Sequence, residues 1–475
     1  MPNPVDLDAA LVLSRFGLGA REDSLAAIAG RPRGALQDEV SRRTLARPTG
    51  PALKATNALL LDVFEFQGEQ KKARERQAAA LKNTSSTSAA GKPAPAMAQP
   101  VNPAQETFLA EVDARFNGTL REPLIGFGER LAMFWANHFA VAVGKGEEVR
   151  AIAGAFEREA IRPHVFGRFE DMLQAVETHP AMLAFLDNQQ SVGPHSRASG
   201  HGKRGLNENL AREIMELHTL GVDGGYTQRD VTSFASVITG WTIARLNNNF
   251  GAPGYFAFNE KAHEPGAHSV LGVTYQDNGI NQGRAVLHDL AQRPATAHRI
   301  AFKLARYFVA DQPPPELVAA MTATFVRTRG DLTSVYQTLL ASDAAWSPTL
   351  VKVRSPQEYL IALLRASGNR PKPQQIMGLL NAMGQPLWNP SGPNGFPDTV
   401  DAWASSEGLA TRIDVANLIA NAMPGQGLGR TDPRRFAADL LGALLSKDTE
   451  HAIARAETKV QAVSLAFLSP EFQRR

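Results

Sequence analysis

The sequence predicts a mainly α protein, a multi-helix single domain (a bundle or array) with one small β-hairpin inserted near residues 255–275. Three observations carry that prediction. Apolar residues recur at steps of three and four through nearly every stretch, the period of a helix with one buried face. Alternation is confined to YFAFN at 255–259 and SVLGVTY at 269–275, too short for more than a ribbon. A helix start is explicit at Ser355-Pro356-Gln357-Glu358, where a capping serine, a first-turn proline and a capping-box glutamate stand together.

Taken in order, residues 5–14 and 23–43 read as helices joined by a turn at Gly17 and Gly19, and 52–81 as a third that becomes charged at QKKARERQ. Residues 83–104 (NTSSTSAAGKPAPAMAQPVNPA) have almost no large apolar side chain. Such a segment cannot offset its ordering entropy and is expected to be a disordered insertion. Helices then come densely at 123–143, 147–162 and 168–186, with Phe127, Leu131, Phe134 and His138 on one stripe of the first. Residues 189–205, polar, basic and glycine-rich, read as a mobile loop. The ribbon, joined by HEPGAH, is followed by helices at 282–292, 294–310, 314–328, 331–342 and from Ser355. The Pro- and Gly-rich stretch 386–397 (PLWNPSGPNGFP) reads as an ordered surface loop. Helices near 400–422, 432–446 and 449–467 finish the chain, and no repeat of fixed period is seen.

Composition excludes several function classes. Hydrophobic residues at 43% against 20% charged give a soluble globular balance. A net charge of +3 over 475 residues, with no gathered basic patch, does not argue for nucleic acid. The absence of cysteine removes disulfides, thiolate metal sites and a cysteine nucleophile. The start MPNPVDLDAALVLSRFG has no basic region before its apolar run, and no run approaches the roughly 18 apolar residues of a membrane span. A cytoplasmic location is expected, unless the chain is exported with a partner.

The richest stretch is 206–241, LNENLAREIMELHTLGVDGGYTQRDVTSFASVITGW. On an α-helical wheel started at Leu206, residues Leu210, Ile214, Leu217 and Leu220 form a buried stripe. Glu213 lies about 20° from the middle of that stripe, with Asn209 and Glu216 on one edge. A carboxylate pushed towards the core must be paired or have its pKa raised. Arg212 could supply the pairing in a purely structural Glu–Arg–Asn network. The functional reading needs the two glutamates in different environments, one as acid and one as base. His218 falls about 140° from Glu213 on the same wheel, so E-x-x-E-x-H fails as a metal motif; a metal at Glu213 would need His138 or another distant group.

Gly221, Gly224 and Gly225 allow positive φ or close backbone approach. Thr227 is expected to cap the next helix with Asp230 at its third position, and Trp241 to pack back. His138, on an apolar stripe beside Asn137, is a core histidine or, facing Glu213, a general base or orienting partner. Candidate catalytic residues are therefore Glu213, Glu216, His138 and Tyr226. Candidate substrate-binding residues are Asn137, Asn209, Arg212, Asn207, Asp187, Asn188 and Trp241. The 189–205 loop, with His195, Arg197, His201, Lys203 and Arg204, is either a solvated loop or a lid over an anionic ligand. No phosphate-binding loop, dinucleotide fingerprint or nucleophile elbow occurs, and no cofactor is identified; a metal is left open. Asn137, His138 and Tyr226 also resemble the Asn/His/Tyr trio of helical polysaccharide lyases.

The central motif resembles the signature of the bacterial domain of unknown function 1800 family. RFGLG, FWANHF at 134–139, DNQQSVGP at 187–194, HEPGAHSVLG at 263–272, PNGFP at 393–397 and LSPEFQ agree with it in order. The resemblance spans nearly the whole chain and implies one family domain over 1–475. It brings no activity with it. It does imply a partner from the family of unknown function 1501, which resembles the alkaline phosphatase and sulfatase superfamily, and an envelope setting. The family's hairpin motif more usually reads HDPG followed by lysine, so a His263/His268 metal pair is not its shared chemistry.

These readings give an expected enzyme, a hydrolase or lyase, using buried carboxylates for acid/base chemistry on a carbohydrate-like polymer. The alternatives are a non-catalytic binding or assembly partner of the phosphatase/sulfatase-like protein and, second, a metal-dependent enzyme.

Overall fold

A computed structural model describes residues 4–84, 101–121, 124–200, 205–423 and 432–475. The architecture is mainly α, with two short antiparallel ribbons. Helices Thr56–Thr84 and Pro103–Arg121 both pack on Glu147–Phe156. The second contact is close because Gly154 has no side chain; a Cβ there would sit 2.5 Å from Glu111. The segment expected to be disordered is bounded by helix, since Thr84 ends one helix and Pro103 starts the next. Residues 85–100 of it lie outside the described residues.

The core centres where three apolar surfaces meet. Phe16, at the end of the π-helical turn Val12–Phe16, touches Phe127 and Phe308 at ring-centroid distances of 6.2 and 6.1 Å, and the latter two are 5.2 Å apart. Each ring is fully buried, a contribution of about 1.5–3 kcal/mol apiece. Phe127 opens the helix Phe127–His138, and Phe308 closes Pro294–Phe308. Their packing sets His138 beside Lys303.

Around this core run buried ion pairs. Glu157 holds Arg115 (2.9 Å) and Arg162 (3.1 Å), Glu129 holds Arg162 (2.5 Å), and Glu358 holds Arg130 (2.8 Å) and Arg475 (3.0 Å). The capping box at Ser355 is formed as its sequence implies, with Ser355 N–H donating to Glu358 Oε2 at 2.9 Å. The same glutamate thus caps a helix and neutralises two arginines.

The β structure differs from the single ribbon expected of 255–275. Strand β1 (Trp241–Ile243) pairs with β2 (Phe256–Phe258), Trp241 opposite Phe258. Strand β3 (His268–Val270) pairs instead with β4 (Val273–Tyr275), His268 opposite Tyr275. Leu271 (φ 51°) and Gly272 (φ 79°) are both left-handed, so a two-residue turn closes the second hairpin within the segment taken for one strand. Between the ribbons, the turn Glu260–Ala262 and Pro265, which has no amide hydrogen, break any ladder.

No helix among the described residues is long and apolar enough to cross a membrane.

Candidate functional site

Residues 206–220 do not form one regular helix. An α-helical turn, Asn209–Glu213, is started by the Asn207 side chain, whose Oδ1 accepts the Asn209 N–H at 2.9 Å. It widens into a π-helical turn, Ile214–His218. Thr219 Oγ1 donates to Ile214 O (2.6 Å), and Leu220 and Gly221 N–H groups both donate to Met215 O. Gly221, at φ 91°, then ends the helix. A wide turn advances each residue by less than the ~100° of an α-helix. That difference undoes the separation of His218 from Glu213: His218 is the first charge acting on the Glu213 carboxyl.

Glu213 and Glu216 are half-buried, while Asn209 is exposed. Burial raises the Glu213 carboxyl above its ordinary value; Glu216 adds to the rise, and His218 and Arg212 oppose it. Glu216 accepts the Tyr226 hydroxyl at 3.1 Å. Burial and Glu216 in turn push the Tyr226 phenol up. Arg299, from Pro294–Phe308, lies in the field of Glu216 and Tyr226 and donates Nε to Leu217 O at 3.1 Å.

His138 is buried on the other side of this cluster, 2% exposed. Its Nε2 is 3.1 Å from His218 O, and since a carbonyl only accepts, Nε2 carries the hydrogen. Nδ1 is then an acceptor, and Lys303 Nζ donates to it at 2.8 Å. Burial, reinforced by Lys303, holds the His138 imidazole well below its ordinary value. The ring of His218 is sealed in the core, with Nδ1 2.8 Å from Glu177 Oε1. Among the described residues, His218 Nε2 and Glu177 Oε2 have no hydrogen-bond partner.

Several candidate binding residues are engaged by the scaffold. Asn137 clamps the 386–397 loop, donating to Phe396 O (2.9 Å) and accepting from Phe396 N–H (2.7 Å). Gly395 fits there because a Cβ would meet Asn137 O at 2.3 Å. Asn137 also lines a cleft of about 60 Å3 under that loop, with Arg115, Gln357, Trp388 and Phe396. Asn188 donates to Ile238 O and Trp241 O, and Asn207 to Leu186 O and Asp187 O. Asp187 pairs with Lys145 at 2.5 Å. Trp241 is fully buried against Gly283, where a Cβ would lie 2.4 Å from its ring. Arg212 reaches Glu208 (3.0 Å) and Gln228 (2.8 Å) rather than Glu213. Thr227 and Asp230 form the expected capping box, and Asp230 Oδ1 also accepts Leu271 N–H at 2.6 Å, tying the β3–β4 turn to the helix.

The described part of the 189–205 loop is fastened to the 261–264 segment. Gly193 N–H donates to Ala262 O (2.8 Å), Ala198 N–H to Lys261 O (2.7 Å), and His195 meets Glu264 at 2.5 Å. His201, Lys203 and Arg204 lie outside the described residues.

Hydrogen bonds link Tyr226 to Glu216, His138 to Lys303 and the His218 carbonyl, and the His218 ring to Glu177, while Arg299 lies in the field of Glu216; Glu177, His218, Arg299 and Lys303 are absent from the sequence-based candidates. A signal existed for two of them. Glu177 lies one turn beyond Leu173 on a largely apolar helix, and Lys303 flanks the apolar run Ile300, Leu304, Phe308. No three His, Asp or Glu side chains among the described residues are grouped to hold a metal ion.

A mainly α fold extends over nearly the whole chain. The chain belongs to the family described as Protein of unknown function (DUF1800), whose model matches residues 11–474. No curated protein and no solved structure matches it.

Proposed function

We propose that the protein is an enzyme carrying out acid/base chemistry on a polyhydroxylated, carbohydrate-like polymer, as a hydrolase or lyase. One observation carries the reading. Two glutamates three residues apart occupy unlike environments: burial raises Glu213, while Glu216 accepts the Tyr226 hydroxyl in the field of Arg299. Glu213 is the proton donor and Glu216 the base, with Tyr226 orienting it. His138 and His218 act from behind; their hydrogen bond fixes the His138 tautomer. The test is Glu213→Gln assayed on a panel of neutral and acidic polysaccharides that the wild-type protein cleaves. Loss of turnover with unchanged thermal unfolding supports the reading. Retained turnover, or a variant that fails to fold, overturns it and leaves Glu213 a structural residue.

A second reading has an observation of its own. Leu246, Phe250 and Tyr255 are exposed by 50%, 38% and 53% within one loop between β1 and β2, an apolar surface suited to a protein partner. On that reading the chain is a binding or assembly partner of the phosphatase/sulfatase-like protein, located with it in the envelope. Co-purification that is lost on Phe250→Asp would favour it; co-purification unchanged by that substitution would not.

A further inference from the structure

The helix Pro294–Phe308 carries Arg299, Lys303 and Arg306 at steps of four and three, hence along one face. All three are half-buried. Arg299 lies over Gly221, whose missing side chain leaves it room: a Cβ would be 3.0 Å from its Nη1. Arg306 donates Nε to Asp311 O (3.0 Å) and stacks on Phe302 at 4.5 Å. Lys303, between them, donates to the neutral Nδ1 of His138 at 2.8 Å.

Among the described residues none of the three makes an ion pair. The nearest acidic influences are already engaged: Glu216 holds Tyr226, and Asp398 pairs with Lys352 at 3.2 Å. Among the described residues this partly desolvated ammonium, set between two guanidiniums, hydrogen-bonds only to a neutral histidine, and the one acidic influence on it is Asp398, already paired with Lys352. The terminal nitrogens of Arg299 and the remaining hydrogens of Lys303 are one helical turn apart, and Arg299 lies in the field of Glu216 and Tyr226.

We propose that Lys303 and Arg299 seat an anionic group of the substrate, a carboxylate, sulfate or phosphate, beside Glu213 and Glu216. The proposal deepens the acid/base reading, on which it rests for the identity of the neighbouring cluster, by making the substrate acidic. It also carries a protonation signature. Burial, then Arg299, lowers Lys303 to about 7; Arg306 adds to this and Asp398 opposes it. The other titratable group facing it, His138, is held well below its ordinary value, so it does not compete for the proton near neutrality. An arriving anion restores the charge on Lys303. Binding therefore takes up a proton at pH 8 and almost none at pH 6.

The experiment is calorimetric titration of the full chain with sulfate, inorganic phosphate and galacturonate, at pH 6 and pH 8, in two buffers of different ionisation enthalpy. Expected is saturable binding, about tenfold weaker at pH 8, with close to one proton taken up there for the non-titrating sulfate and galacturonate. The ligand that binds tightest identifies the anionic group. Lys303→Met should lose binding, and Lys303→Arg should bind without pH dependence between 6 and 8. Saturable, pH-dependent anion binding in a protein whose turnover survives Glu213→Gln would leave the seat standing and remove only the acid/base reading, so the two failures remain distinguishable. No saturable binding at pH 6, no proton uptake at pH 8, or unchanged binding by Lys303→Met each overturns the proposal; thermal unfolding of each variant establishes that it is folded.

Discussion

At Glu213, burial and the neighbouring Glu216 act in the same direction, and the resulting rise in pKa has a sign that can be followed into two measurements. As a general acid, Glu213 must be protonated, so turnover should fall as pH rises through its raised value. The stability effect follows from linkage. A carboxyl whose folded pKa lies above its unfolded one stabilises the fold below the unfolded value, and that stabilisation is lost as pH rises through the folded one. At neutral pH, Glu213→Gln should therefore be as stable as the wild type or more so, by up to about 1 kcal/mol after discounting for a half-exposed group. The excess should disappear near pH 4, as urea unfolding at both pH values would show. The carboxylates were legible in the sequence because two glutamates on an apolar helix stand out. Lys303 and Arg299 were not, because a cation beside an apolar face usually extends its stem along the surface and places its charge in water. Only the contacts of Lys303 with His138 and of Arg299 with the Leu217 carbonyl show that this face meets other elements.

At the scale of elements, the π-helical turn Ile214–His218 is what lets a single segment present Glu213, Glu216 and His218 to one region. A wheel at about 100° per residue placed His218 elsewhere, and nothing in the local residue types betrays the wider turn. It is imposed by Thr219, which donates to Ile214 O, and by Gly221, which stops the helix in a left-handed conformation under Arg299. Gly221→Ala should accordingly destabilise the protein by about 1–2 kcal/mol and weaken anion binding at Arg299; a stability unchanged within a few tenths would contradict this. At the next helix, Thr227→Ala removes a formed capping box and should lower stability by about 1 kcal/mol in the same assay. That cap was readable because it is local. The strand pairing was not: β1 with β2 is a contact between segments on either side of a loop, and β3–β4 closes through a Leu-Gly turn that does not resemble the usual Asn-Gly signal.

For the whole molecule, helical periodicity alone conveyed the mainly α architecture, whereas the buried ionic framework needed the structure. Glu358 shows why. Its sequence role as a capping-box residue is correct but partial, since it also faces Arg130 and Arg475, which are far from it in the chain. Burial pushes its carboxyl up, yet Arg130 and Arg475 outweigh burial and hold it at about 2. A depressed folded pKa stabilises above the unfolded value, near 4.5, and that contribution is lost as pH falls towards 2. Glu358→Gln should cost about 3–5 kcal/mol at pH 7, because it strands two buried guanidiniums. The gap between variant and wild type should narrow steadily below pH 4.5. A pH-independent gap would show that shape, not charge, holds this junction.

The most direct test of the central claim is the titration of the Glu213 carboxyl itself, followed by carbon-13 NMR in protein labelled at glutamate side chains and assigned with Glu213→Gln. A midpoint clearly above the ordinary glutamate value of 4.5, lowered when Glu216 is replaced by Gln, is the predicted result. A midpoint at or below 4.5, or one indifferent to Glu216, would contradict a division of acid and base between the two carboxyls.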